Sequence, residues 1–108
     1  MTLETMQAVV EALAERNVDA TLEYPGFIAV DLNEQSGYAA GLDGRSLHFG
    51  DANDTISADL VVADEVESAV DSDIPRDSTD VGRIAEFIHA TVCQTVLQAH
   101  IRSTGGKQ

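Results

Sequence analysis

The sequence predicts an α+β domain: an antiparallel sheet of 4-5 strands, packed on one face by an N-terminal helix and a long C-terminal helix. Three observations lead there. Apolar residues recur at helical spacing near both ends of the chain. Between those ends the pattern shifts to short extended runs broken by Pro25-Gly26 and Asp43-Gly44. With 108 residues, 44% of them hydrophobic, the chain can bury one core without disulfides or metals. The expected division is a single domain over residues 1–102 and a disordered tail, "STGGKQ", over 103–108.

The first helix is expected from Leu3 to about Arg16. Leu3, Met6, Val10, Leu13 and Asn17 follow the helical period, and Glu4, Glu11 and Glu15 share the opposite face. Thr2 suits the N-cap and Asn17 the left-handed stop. Two strands come next, over 19–24 and 26–32. Asp43-Gly44 predicts a type I′ hairpin joining 36–42 to 45–50. That register would set Ala40 against Leu47 and Tyr38 against Phe49 on one face. Gly37, Ala39, Gly41, Ser46, His48 and Gly50 would share the other, a small-residue surface able to admit a helix or a ligand.

Residues 58–62 read as a further strand. Asp64 with Glu67 reads as a capping box opening a short helix over 64–70. Pro75 is placed in a loop, and Ser78 or Thr79 starts the last helix, which runs to about Arg102. Val81, Ile84, Ala85, Ile88, Val92, Val96 and Ala99 form its core stripe. Roughly opposite lie Gly82, Ala90, Cys93, Leu97 and Ile101, where an exposed face would carry charge. A helix apolar on two sides is covered on two sides, either by the first helix packed alongside or by a second protomer; in the second case Ala90, Cys93, Leu97 and Ile101 are the expected homodimer interface.

Charge is the outlying property. Nineteen acids face six bases, for a net −13. Ten of the acids (Asp51, Asp54, Asp59, Asp64, Glu65, Glu67, Asp71, Asp73, Asp77 and Asp80) fall in 51–80, where Arg76 is the one base. Direct nucleic-acid binding is not expected, because it depends on Lys and Arg neutralising phosphates. Anionic membrane surfaces are disfavoured on the same ground. The chain opens with an acid where a signal peptide has bases, and no apolar run approaches about 18 residues, so a cytoplasmic protein is expected.

Sites of chemistry are scarce in the sequence. No calcium loop fits 51–80: counting from Asp51 puts Ile56 sixth and Val62 twelfth, where Gly and Glu are required. His89 and Cys93 stand one turn apart near the line of His100, a ligand pair without a second cluster, so no metal and no cofactor is expected. Cys93 lies mid-helix in an acidic chain, which does not favour a thiolate. The nucleophile-elbow, P-loop and zinc-protease motifs are absent, and no catalytic residue is assigned.

The expected function is therefore non-enzymatic. A small acidic interaction or regulatory protein would meet a basic protein surface through Asp51, Asp54, Asp71, Asp73, Asp77 and Asp80. In size and charge the chain resembles small acidic inhibitors encoded by phages and plasmids, some of which are DNA mimics; the resemblance rests on no motif. The alternative is a halophilic ligand-binding or structural subunit. Its acidity would suit a saline interior, consistent with the single lysine, Lys107, and its ligand would sit on the face around Gly37, Ala39, Gly41 and His48.

Overall fold

A computed structural model describes residues 1–23, 26–32, 44–50 and 54–105, with the side chains of His100 and of 102–105 outside that description. Helix α1 (Leu3–Glu15) begins at Thr2, whose hydroxyl accepts from the Thr5 amide at 3.2 Å. It stops at Asn17, which takes the left-handed conformation at φ 62°. Its buried face is Thr5, Met6, Val9 and Leu13. Of the expected stripe, Met6 and Leu13 are buried; Leu3 is exposed, and Val9 occupies the core while Val10 packs at its margin.

Strands β1 (Ala20–Glu23), β2 (Phe27–Asp31), β3 (Arg45–Gly50), β4 (Thr55–Val62) and β5 (Glu65–Pro75) form one sheet in chain order, each antiparallel to the next. Helix α2 (Val81–Gly105) closes the chain and runs past its expected end. The segment 36–42 and the residues Gly37, Tyr38, Ala39, Ala40 and Gly41 lie outside the described residues. The neighbours of β3 are β2 on one side and β4 on the other: Leu47 faces Val30 and Leu60, and Phe49 faces Ile28 and Ala58.

The clearest departure is at 64–70, expected as a helix and found as the first part of β5. Ala63 and Asp64 both have positive φ (51° and 67°), and Val62 pairs with Glu65. The two residues thus make a two-residue hairpin turn of the type that matches strand twist. Pro75, expected in a loop, is the last residue of β5 and pairs with Thr55.

Both helices cover one face of the sheet. Met6, Val9 and Leu13 of α1 and Ile84, Ala85, Ile88 and Val92 of α2 join Ile28, Val30, Leu47, Phe49, Ile56 and Ala58 in a single core. Among the described residues every buried side-chain nitrogen and oxygen has a hydrogen-bond partner. No described helix is long and apolar enough to cross a membrane.

Candidate functional site

The acidic segment is built on the β4–β5 hairpin and the loop that leads to α2. β5 is one of the sheet's two edge strands, and residues 65–71 are exposed at every position. Two irregularities shape it. Glu67 is the extra residue where Leu60 pairs with Ser68 and Val61 with Val66. A second shift lies between Thr55 and Ser57. There Ser72 Oγ donates to the Ile56 carbonyl at 2.6 Å and accepts from the Ile74 amide at 3.1 Å. That clamp accompanies Ile74 turning into the core, the buried anchor of an otherwise exposed strand.

The loop is held from three sides. The Arg76 amide donates to the Asp54 carbonyl at 3.0 Å, and the Ser78 amide to that of Pro75 at 3.0 Å. The N-terminal ammonium donates to the Arg76 carbonyl at 2.7 Å. Asp80 then starts α2: its Oδ1 accepts from the Arg83 amide at 3.1 Å, and its carbonyl takes the Ile84 amide. A carboxylate there also favours the positive end of the helix dipole. Ser78 and Thr79, the expected starters, precede the cap, and Ser78 Oγ accepts from the Asp80 amide.

Of the six sequence-assigned partner contacts, Asp51 lies outside the described residues. Asp54, Asp71, Asp73, Asp77 and Asp80 are all exposed. Arg83 draws two of them together, pairing with Asp73 at 3.1 Å while its amide meets Asp80. Asp77 borders a shallow hollow of about 290 Å³ with Met1, Thr2, Thr5, Arg76, Ser78 and Thr79. Asp71 stands apart from them, opposite Ser57 on the sheet face away from the helices. Sequence reasoning counts Glu65 and Glu67 among the acids of 51–80 but does not name them as contacts; both follow the turn on β5, and Glu67 pairs with Arg45 at 3.4 Å. The signal for them is alternation: acids at 65, 67, 71 and 73 fall on every second position, apart from Ala69.

The sheet face away from the helices holds a second feature. Phe27 and His48 stack with ring centroids 4.7 Å apart, and Ser46 Oγ lies 3.2 Å from His48 Nε2. Beside them a groove of about 440 Å³ is bordered by Asp19, Thr21, Glu23, Asp31, Arg45 and His48, among others. His48 thus lies on the sheet face away from the helices, at the border of this groove; Gly37, Ala39 and Gly41 lie outside the described residues.

On α2, Ala90, Cys93, Leu97 and Ile101 are all exposed, with Leu97 and Ile101 each 52% accessible. Cys93 Sγ lies 3.5 Å from His89 Nε2. Among the described residues no group of three or more His, Cys, Asp or Glu is placed to hold a metal ion. Comparison with protein-family models, with curated proteins and with solved structures finds no match to this chain.

Proposed function

We propose that this protein is a non-enzymatic acidic interaction protein of the cytoplasm, whose β5 edge and 75–80 loop dock a basic partner. One observation carries the reading: edge strand β5 presents Glu65, Glu67, Asp71 and Asp73, all exposed, and leads into exposed Asp77 and Asp80. From Glu65 to Asp73 the row is roughly 26 Å long at strand rise. A strand edge also offers backbone donors and acceptors to an incoming extended segment, so pairing and charge act together.

The bulge at Glu67 turns the carboxylate row from one face to the other, which disfavours a duplex-shaped footprint. Glu65 pairs with Val62 and Asp71 with Ser57, positions of opposite facing, so the carboxylates surround the edge instead of lining one surface. A DNA mimic would present one continuous charged surface, and that narrower reading, with its role as an inhibitor, ranks below a basic extended partner.

The test is binding of a Lys/Arg-rich extended peptide at low salt, followed by fluorescence anisotropy. Changing Asp71, Asp73 and Asp77 to Lys should weaken it by at least about tenfold, or roughly 1.4 kcal/mol. A charge-matched control, Glu4, Glu11 and Glu15 to Lys on α1, should bind nearly as the parent. Equal losses in both would reduce the effect to net charge and refute a localised site.

A second reading has its own observation, the groove beside Phe27 and His48. A small molecule held there would raise the melting temperature, and His48→Ala would abolish the rise. Such a result would favour the ligand-binding alternative.

A further inference from the structure

Given β5 as a docking edge for a basic partner, we infer that its occupant is an extended segment in which one apolar residue stands between two basic ones. The apolar residue sits against Val70, and the bases meet Asp59 and Asp71. Between its two irregularities β5 keeps one regular run: Ser68 pairs with Leu60, Ala69 with Asp59, Val70 with Ala58 and Asp71 with Ser57. The run is roughly 10 Å long at strand rise, and no described strand pairs with its other side.

Register divides this run between the two faces of the sheet. Ala58 belongs to the core beneath the helices, so Val70 beside it points to the helix-covered face. At the sheet's edge Val70 is nonetheless 55% accessible. An incoming strand would cover it and extend the core by one apolar side chain. Ala69 and Asp71 point to the opposite face, with Asp59 next to Ala69. Ala69 is a single methyl, so a Lys or Arg placed opposite it can reach across to Asp59. The base two positions along then meets Asp71, and the residue between them faces Val70.

Charge and composition select a foreign segment. Residues 51–80 hold ten acids beside Arg76, which favours an occupant rich in bases. A second copy of this chain does not supply the pattern, because no two of its six Lys and Arg residues stand two apart. Charge alone leaves Val70 unexplained: a segment basic at every position would set a cation over it. Val66 is also exposed, but it pairs with Val61 beyond the bulge at Glu67, on the other face of the sheet, and lies outside the run.

Two short peptides of equal charge, one containing Lys-Val-Lys and the other Lys-Ser-Lys, test it by fluorescence anisotropy at low salt. The valine peptide should bind about fivefold tighter. Raising KCl to about 0.15 M should weaken both and keep that ratio, because salt screens charge and leaves apolar contact intact. Val70→Thr keeps the side chain's shape and adds a hydroxyl at an exposed position, so the thermal melt should not change. It should erase the preference and leave the affinity of the serine peptide as it was. Val66→Thr should keep the preference, and Asp59→Asn should weaken both peptides by about threefold. Equal binding of the two peptides to the parent, or a preference that survives Val70→Thr, overturns the inference and leaves docking by charge standing. Binding of neither peptide removes the docking edge itself, and the inference with it.

Discussion

Phe87 of α2 meets Phe49 of β3 edge to face, with ring centroids 6.0 Å apart and planes at 88°. This contact couples the C-terminal helix to the middle of the sheet, because β3 has strands on both sides and Phe49 is fully buried. Aromatic pairs of this geometry add about 0.5–1.5 kcal/mol beyond the area they bury. Phe49→Ala should cost about 3–5 kcal/mol, a large share of the roughly 5–15 kcal/mol of a typical domain. Phe87→Ala should cost less, since Phe87 is only part-buried. Urea unfolding of the two variants checks the order; a larger loss at Phe87 would refute it.

The Ala63-Asp64 turn yields a prediction of opposite sign. Ala63 has φ 51°, a region where a Cβ is crowded and glycine is not. Ala63→Gly should therefore stabilise the protein by about 0.5–1 kcal/mol, and Ala63→Val should destabilise it by a similar amount or more. In a helix over 64–70 the glycine would give no such gain. Denaturant midpoints decide between the two structures.

That turn also shows where the sequence misleads and why. Asp64 and Glu67 have capping-box spacing, a local rule blind to the residues beyond it. Those residues form a strand, marked by acids on alternate positions from Glu65 to Asp73 and by Ile74, which the Ser72 clamp accompanies into the core. The turn itself lacks glycine, so the usual hairpin cue is missing. The helices are easier to read. Thr2 and Asn17 mark the ends of α1, and the stripe from Val81 to Ala99 on α2 is buried or part-buried at every position. Of the candidate site, the exposure of Asp54, Asp71, Asp73, Asp77 and Asp80 is foreseeable from charge. Their division between the β5 edge and the helix cap depends on strand register, which single-sequence patterns do not supply.

Asp80 illustrates that division. Its carboxylate accepts from the Arg83 amide, so Asp80→Ala should cost about 1 kcal/mol through loss of the cap, while Asp80→Asn should retain most of that stability. Asp77 lies three residues before the cap, and Asp77→Ala should leave the melt nearly unchanged. If Asp80→Ala also melts like the parent, Asp80 is not a structural cap and its charge is available for partner binding alone.

Thermal unfolding against KCl, from about 0.05 M to about 3 M, separates partner binding from adaptation to a saline interior. With nineteen acids and six bases, repulsion should lower stability at low salt. Screening is nearly complete by about 1 M, where the Debye length is about 3 Å. A docking protein should be folded at the lowest salt, gain a few degrees up to about 1 M, and then level off. A protein whose acidity serves a saline interior would melt at low salt and keep gaining stability through the molar range. The uneven distribution of acids favours the plateau: residues 51–80 hold ten of them beside one base, leaving nine acids and five bases for the rest. Charge reversal at Asp71 and Asp77 should then raise low-salt stability, because it relieves the crowded strand and loop while the core and the Asp73–Arg83 pair are untouched. A continued climb to 3 M in the parent would instead assign the carboxylates to solvation and remove the reason to look for a basic partner.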